Sequence, residues 1–554
     1  MMTFRLHARR RQRASLGMLL SVGLFAMPGL GQAGSLPRES STTAPPVEIT
    51  ILDFSDFHGN LEPVATGPTR LGGAAYLASH FERRAATAAN EPFVVTAGDE
   101  IGATPPISSL FGDRPTIRVL NMMGLDAGTL GNHNFDRGVS NMRRIAARAD
   151  YPYVVSNLVG PDRRPPGWVE QRIVWERAGV RIGVTGAINP EAPSITLAGA
   201  FGDLRVRDPA PGINRQAALL RAGGVGTVVA LVHLGATGAG PDGAGGPLID
   251  LAHRLRGVDL LIGDHTGIPV NQPVTGADGE PVWVVESLSQ GRSFAEIKLL
   301  IDPETGEALS VRSTFQSTTT DDVEPDAQIQ TYLDHLREKV DARLRRVVGR
   351  SDVPITRSTP LAESNQGNLV TDAMRAAYGV DFAFENSGGL RADLTRDDDK
   401  DGDGRYVIRR EYVLEMLPFS NVAVTLEVSG PELKEILEHG VSTMPQTTDG
   451  RFIQVSGLEF DYRTSRPPGD RVVAVRWPAD DSPVDLSEDA TYRIAMNDFM
   501  VAGGDSYPDL SDRATYRELL DQLVAEYLSA NDPVSPEGPI SPATVPETRI
   551  FRLD

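Results

Sequence analysis

The sequence predicts an α/β (α+β) protein of at least two domains, on three observations. The chain has 554 residues, well beyond the length at which a single hydrophobic core stops growing. Short apolar runs of strand length alternate with longer segments of helical periodicity. Asp, His and Asn residues gather just past the ends of the strand-like runs, where open α/β sheets build their sites. Hydrophobic residues make up 40% of the chain, ordinary for a globular protein. A formal charge of −20 argues against a nucleic-acid duplex as partner. Small phosphorylated ligands stay open, because local metals or arginines override a global field.

Residues 1–33 read as a signal peptide. Arg5, Arg9, Arg10, Arg11 and Arg13 form a basic region ahead of the apolar stretch Leu16 to Leu30. That stretch is too short, and too broken by Gly and Pro, for a membrane span. Gln32-Ala33-Gly34 supplies small residues for cleavage after Ala33. The chain has no cysteine, hence no disulfide and no lipid-modified thiol, which suits a bacterial periplasm or exterior. No second long apolar run follows, so the mature chain is expected to be soluble, without a stable membrane span, and monomeric. Residues 34–46 form a Ser/Thr/Pro-rich linker.

The elements of the next region, residues 47–324, each lead to a polar loop. A strand at Val47 to Phe54 ends in Asp56-Phe57-His58-Gly59. A D-x-H at a strand end puts two ligands on one side, because side chains alternate faces. A carboxylate beside an imidazole suits Zn, Mn, Fe or Ni. A helix at Gly72 to Ala89 precedes a buried strand at Pro92 to Ala97, which delivers Gly98-Asp99. The short run Ala127 to Leu130 leads into Gly131-Asn132-His133-Asn134-Phe135-Asp136. There a neutral oxygen ligand, an imidazole and a carboxylate lie within one turn, a set that suits a metal, a proton carrier and the group that orients the carrier. Further strands are expected at Tyr153 to Ser156, Ile173 to Ala187 (a hairpin through Gly179), Thr227 to Val232 before His233-Leu234-Gly235, and Val258 to Ile262 before Gly263-Asp264-His265-Thr266. Gly279 to Leu300 supplies more strand-like sequence. Any one of these histidines alone is more often a packed or capping residue than a ligand.

In order, D-x-H, G-D, G-N-H-x-F-D, H-x-G and G-x-H-T resemble the loops of the calcineurin-like metallophosphoesterases. The resemblance implies a layered αββα metallophosphoesterase domain holding two divalent metal ions (Zn, Mn, Co, Fe or Mg). It implies Asp56 and His58 on the first metal, Asp99 bridging both, and Asn132, His233 and His265 on the second. Two such cations lower the pKa of a shared water from about 15.7 toward neutrality, and the hydroxide attacks phosphorus in line. His133 then stabilises the transition state or protonates the leaving oxygen, with Asp136 holding its tautomer and favouring its charged form. One departure is Gly267. The family commonly has a second ligand, His or Gln, at this position; here the first metal is held more weakly, or another group such as Asp264 reaches in.

Pro325 to Arg350 reads as one amphipathic helix, with Ile329, Leu333, Leu336, Val340, Leu344 and Val347 at helical spacing. It is expected to connect the catalytic domain to a second α/β domain at residues 351–554, although an ordinary surface helix fits the same pattern. Glu363-Ser364-Asn365-Gln366-Gly367-Asn368-Leu369 runs into an apolar helix at Val370 to Ala377, and Asp381 to Phe384 reads as a strand. Then come Asn386-Ser387-Gly388-Gly389-Leu390-Arg391, Leu417-Pro418-Phe419-Ser420-Asn421, and Asn497-Asp498-Phe499 to Gly503-Gly504-Asp505-Ser506-Tyr507. Paired glycines allow close backbone approach, and Arg391 is a natural fork for an anion.

These motifs resemble the C-terminal substrate-binding domain of the secreted 5′-nucleotidases, so the resemblance spans nearly the whole mature chain. It implies release of phosphate from nucleoside 5′-monophosphates. Phe419 and Tyr507 would stack on either face of the base, Asn386, Gly389 and Arg391 would hold the phosphate or ribose, and Asp512, or Asp509 instead, would accept from the ribose hydroxyls. The C-terminal domain would rotate to carry substrate in and product out. A second departure is Ala362, where relatives often carry an arginine. A 2′,3′-cyclic nucleotide or a nucleotide sugar is the alternative substrate, and a nucleotide-binding or surface protein with an eroded metal site is the alternative from another class. The acidic loop Asp397 to Gly404 offers Asp399, Asp401 and Asp403 to a calcium ion, against a solvated turn; the twelfth position is Arg410 rather than glutamate, so a full EF-hand is not expected.

Overall fold

The computed structural model describes residues 44–66, 69–196, 199–240, 243–339, 344–357, 362–419, 421–445, 450–538 and 548–554. The signal-peptide segment and the linker as far as Thr43 lie outside them. Among the described residues, no helix is long and apolar enough to cross a membrane.

Two sheets stack face to face in the first part of the chain. One runs in the order Ala308–Ser317, Ser293–Ile301, Val47–Asp53, Phe93–Thr96, Ala127–Gly128. The other runs Val270–Thr275, Pro281–Glu286, Leu260–Gly263, Thr227–Val232, Val180–Ala187, Arg172–Arg177. Ile49, Ile51, Val95 and Leu299 of the first meet Val184, Val229, Leu231 and Ile262 of the second in one buried cluster. The outer face of the first sheet carries the helices Ala74–Ala85, Arg114–Met122 and Gly138–Ala146. The outer face of the second carries Pro209–Ala222 and Pro247–Ala252.

Local chemistry explains these elements. Thr227–Val232 is buried along its whole length and lies between parallel neighbours, Val180–Ala187 and Leu260–Gly263. A continuous run of β-branched and aliphatic residues is what a strand covered on both faces requires. The hairpin at residues 172–187 turns through Ala178 and Gly179, both at positive φ (52° and 80°), which matches the twist of its strands. Tyr153 to Ser156 differs from expectation. It makes only isolated bridges, Gly128 to Tyr153 and Val154 to Glu170.

The expected helix from Pro325 to Arg350 is shorter. Its described part is Ala327–Lys339, with Ile329, Leu333 and Leu336 buried in the first domain's core. Residues 340–343 lie outside the described residues, and Val347–Ser351 is a strand paired antiparallel with Tyr406–Arg409. Adjacent β-branched valines and Gly349 favour the extended form, and Val348 is buried in the core of the second domain. The helical spacing of Leu344 and Val347 is coincidental.

The second domain centres on a five-stranded sheet, in the order Ile453–Ser456, Phe382–Asn386, Thr491–Asn497, Val422–Ser429, Thr515–Leu519. Helices Asn365–Tyr378, Arg410–Met416 and Leu520–Ala530 cover one face. Helix Gly430–Gly440 and a three-stranded sheet cover the other. Helix Asn365–Tyr378 starts at Ser364, whose Oγ accepts from the Gly367 amide at 3.0 Å, and stops at Gly379 with φ 58°. Such a cap contributes about 1 kcal/mol. The helix begins five residues before the apolar run that marked it, because its buried first turn is polar: Asn365 Nδ2 donates to the Pro354 carbonyl and Gln366 Nε2 to that of Ala392.

Candidate metal centre and substrate face

Parallel strands bring their C-terminal ends to one rim, and there the polar loops converge. Three overlapping groups have ligand atoms within 4.8 Å of one another: Asp56, His58 and Asp99; Asp99, His233 and His265; and Asp56, His233 and Asp264. Asp99 Oδ2 lies 2.9 Å from His233 Nε2, and His265 Nδ1 lies 3.1 Å from the same nitrogen. Hydrogen bonds from behind aim the imidazoles. His58 Nδ1 donates to the Gly102 carbonyl at 2.8 Å, and His233 Nδ1 to that of Ala97 at 3.1 Å. Each ring thereby turns Nε2 inward, the usual arrangement for a ligating histidine. Asp56, His58, Asp99 and His265 all have positive φ (39°, 46°, 47° and 120°). Non-glycine residues hold such conformations only where their surroundings impose them.

Burial and proximity set the protonation. Burial would raise the Asp99 carboxyl, but the imidazoles of His233 and His133 hold it well below the usual carboxylate range. Burial pulls His233 down, and Asp99 overrides it, pushing His233 up to about 9. Burial lowers His58 to about 3, and burial with the neighbouring His233 does the same to His265. These two rings are therefore neutral, as metal ligation requires. Burial also raises Asp56 to about 6.

The residues fit a pair of divalent cations. Asp56 Oδ1 and Asn132 Oδ1 are buried without a hydrogen-bond partner, and such orphaned oxygens need a cation or a donor. Carboxylates, imidazoles and an amide oxygen are the ligands that borderline and hard divalent metals take. At Gly267, φ is 60° and an added Cβ would lie 3.2 Å from Ser289 Oγ. Asp264 stands near Asp56 and His233, but its carboxylate accepts the backbone amides of Asp56 at 2.7 Å and His265 at 2.9 Å. Asp264 thus ties two of the metal-facing loops together.

His133 stands beside the cluster. Its Nδ1 lies 3.1 and 3.2 Å from the two carboxylate oxygens of Asp136, and its amide donates to Asp99 Oδ1 at 2.9 Å. The other domain reaches it here. The Phe419 ring stacks on the His133 ring, with centroids 5.5 Å apart and planes at 18°. The Arg391 guanidinium lies 5.7 Å from the centre of the Phe419 ring.

The remaining second-domain residues sort differently from the sequence expectation. Gly389 is required by packing, since a Cβ there would collide with Glu385 Oε1. Asn386 Nδ2 donates to Asp505 Oδ2, and Asn386 Oδ1 accepts from Asn497 Nδ2, both at 2.9 Å. Tyr507 presents no face to a ligand. It is 3% exposed, lies in the domain core with its ring edge-on to His439, and donates its hydroxyl to the Arg451 carbonyl. Asp512 is solvent-exposed beside Arg513, and Asp509 is exposed with its carboxylate on Ser511. Asp505, rather than Asp512 or Asp509, is the carboxylate beside Asn386.

Phe499, in the same motif as Tyr507, is a half-exposed aromatic to which the sequence reading gave no role. Its neighbour Asp498 accepts from Asn421 Nδ2 at 2.7 Å and the Val422 amide at 3.1 Å. The Phe419 loop is thereby tied to the Phe499 loop, and Phe499 is half-buried over Gly504. The available signal was Asn497-Asp498-Phe499 itself, in which a cap residue and an acid frame the ring. The acidic loop is corrected too. Asp399 accepts from Arg409 at 2.6 and 3.0 Å and from the Tyr412 hydroxyl, and Asp401 accepts the amides of Asp403 and Arg405. Its carboxylates are occupied by donors of the chain, and among the described residues it is not one of the groups that could hold a metal.

Stacked sheets with Asp/His loops at one rim, joined to a second α/β domain, define a two-domain protein with a metallophosphoesterase fold. Residues 347–512 match the family model of the 5′-nucleotidase, C-terminal domain. The 5′-nucleotidase precursor of Thermus thermophilus superposes with a TM-score of 0.79 at 28% identity, covering 92% of this chain and all of that one. A cell wall protein of Listeria monocytogenes, Lmo0130, is 28% identical over 88% of this chain, and the 5′-nucleotidase of Rattus norvegicus is 26% identical over 88% of this chain and 89% of its own length. Residues 347–512 thus carry a 5′-nucleotidase C-terminal domain, and the chain as a whole is similar to 5′-nucleotidases in sequence and fold. It spans 66% of the Listeria protein, and 39% and 34% of two Bacillus subtilis relatives.

Proposed function

We propose that this chain is an exported, metal-dependent phosphohydrolase that releases phosphate from nucleoside 5′-monophosphates. The observation that carries the reading is the meeting of the Asp/His cluster with Phe419 and Arg391 of the other domain, on either side of His133. Asp56, His58, Asp99, Asn132, His233 and His265 would hold two divalent cations, which when bound lower the pKa of water and neutralise phosphoryl oxygens. Arg391 draws in the anionic end of the nucleotide. His133, held by Asp136, donates a proton to the leaving oxygen. Phe419 and Phe499 supply the aromatic surface for the base, with Asp505 and Asn386 beside them for the sugar.

The reading is tested by phosphate release from AMP after chelation, with Mn²⁺, Zn²⁺, Co²⁺ or Mg²⁺ then added back. Release that vanishes on chelation and returns with a cation is the expected result. Folded protein that binds AMP but releases no phosphate with any cation would instead mark a binding protein. In a companion series, Phe419→Ala and Phe499→Ala should each raise KM about tenfold, within the 1–3 kcal/mol of base stacking. Tyr507→Phe should leave KM unchanged and cost about 1 kcal/mol of stability for its lost hydrogen bond; a raised KM in that variant would return Tyr507 to the site.

A nucleotide with a second phosphoryl group, such as a nucleotide sugar, is favoured by Arg357. Its Nη1 donates to the Arg391 carbonyl at 3.2 Å. Burial and the neighbouring Arg391 push the guanidinium down to about 10 against the opposing pull of Asp393, so two cations stand side by side here. Arg357 stands where it can offset the missing arginine at Ala362. Rates on AMP, 2′,3′-cyclic AMP and UDP-glucose separate the substrates.

A further inference from the structure

Asn134 lies between two residues of the site, yet neither binds a metal in the scheme above nor touches substrate. Its Oδ1 accepts two backbone amides, Gly131 at 2.7 Å and Asp99 at 3.2 Å. Its Nδ2 donates to Glu100 Oε1 at 3.0 Å, and the same oxygen accepts from the Tyr153 hydroxyl, itself 3.3 Å from that of Tyr151. All of these side chains are buried. One amide thus joins the loop after Phe93–Thr96, which carries Asp99, to the loop after Ala127–Gly128, which carries Asn132 and His133.

We propose that Asn134 is a positioning residue that sets the spacing between Asp99 and Asn132, with Glu100 and Tyr153 as its anchor, and so controls how tightly the site holds divalent cations. The inference rests on the metal-site reading given above. Asp99 sits at φ 47°, a conformation that persists only where neighbours over-determine it. Two contacts do this from one loop: the Asn134 carbonyl oxygen holds the Asp99 amide, and the His133 amide holds the Asp99 carboxylate. Removing the Asn134 side chain would leave the amides of Gly131 and Asp99 as buried donors without acceptors, a costly state that the loops relieve by moving.

The geometry also explains why an amide is used. The position must accept on the side of the two backbone amides and donate on the side of Glu100. Aspartate would keep the acceptor but set a carboxylate oxygen against Glu100. Exchanging the pair, with Asn134→Asp and Glu100→Gln together, returns a donor to face an acceptor across the same gap.

The test is Mn²⁺ binding to the full chain by titration calorimetry, with metal-free thermal unfolding measured alongside. The wild type should bind two Mn²⁺ ions; if it binds none, the metal-site reading itself falls. Given that binding, Asn134→Asp should weaken it about 10- to 100-fold, the usual cost of a lost partner behind a metal ligand. The double exchange should recover most of the loss. Tyr153→Phe, which leaves both loops intact, should weaken binding severalfold and keeps the proposal testable if Asn134→Asp does not fold. Unchanged Mn²⁺ affinity in both Asn134→Asp and Tyr153→Phe, or a double exchange as weak as Asn134→Asp alone, overturns the positioning role.

Discussion

Replacing His133 with alanine is expected to lower kcat by about 10²- to 10⁴-fold, the range for loss of a general acid, while Mn²⁺ stoichiometry is unchanged. The ring belongs to none of the candidate ligand groups. Its Nδ1 is held by Asp136, whose Oδ2 is fixed in turn by the Ala103 amide at 2.9 Å. Burial would lower the imidazole's pKa, but the carboxylates of Asp136 and Asp99 outweigh it and raise the pKa above 6.5. A raised pKa keeps the ring protonated to higher pH than an ordinary imidazole, which favours the state a proton donor needs. Activity should therefore fall on the alkaline side, as pH rises through that raised value. Asp136→Asn removes one of the two raising charges, so it should move this alkaline limb to lower pH. Measured kcat against pH for the wild type and both variants checks the assignment. A normal kcat in His133→Ala would remove the residue from the mechanism, and loss of Mn²⁺ would make it a ligand instead.

The first domain was legible because its chemistry sits at the ends of strands that periodicity reveals. Thr227–Val232 is an unbroken apolar run with His233 directly behind it, and nothing else in the sequence competes for that reading. Asp56, His58, Asp99, His233 and His265 were readable for the same reason, and the structure brings them together. Asn134 was not readable as a separate function, since what it does is decided by Glu100 and Tyr153, 34 and 19 residues from it in either direction. The second domain was harder. Tyr507 and Phe499 stand in one motif, and both are aromatics beside polar residues. Only burial separates them: Tyr507 fills the core with its hydroxyl on Arg451, whereas Phe499 stays at the loop surface over Gly504. The helix at residues 327–339 was overextended because 3.6-residue spacing continued by chance into Leu344 and Val347, where strand pairing to residues 406–409 decides the outcome. The acidic loop at residues 397–404 looked like a cation site because sequence shows the carboxylates but not Arg409, which folds back onto Asp399.

Glu385→Gln is expected to abolish much of the pH dependence of the second domain's stability. Glu385 is 1% exposed; its Oε1 accepts from Asn497 Nδ2 at 2.8 Å and its Oε2 is buried without a partner. Burial raises its pKa from 4.5 to about 8. The folded chain thus keeps the proton up to about pH 8, while the unfolded chain releases it near 4.5. Between these values the folded state binds more protons, so stability is fully present below about pH 4.5 and is lost as pH rises toward 8. The slope is about 1.4 kcal/mol per pH unit for one such group, or roughly 5 kcal/mol across the window. Glutamine keeps the shape and the acceptor facing Asn497, and it has no proton to lose. Urea unfolding of the chelated protein at pH 5 and pH 9 measures the effect. Glu100 and Glu286, pushed up to about 7 by burial in the first domain, act on wild type and variant alike and cancel in the difference. The wild type should lose several kcal/mol more than Glu385→Gln between the two pH values; equal losses would mean that Glu385 is ionised in the fold. A neutral Glu385 also bears on function, because Asn497 donates through the same nitrogen to Glu385 and to Asn386. Ionising Glu385 strengthens its claim on that donor and weakens the hold on Asn386, so KM for nucleotide should rise above about pH 8 in the wild type and stay flat in the glutamine variant.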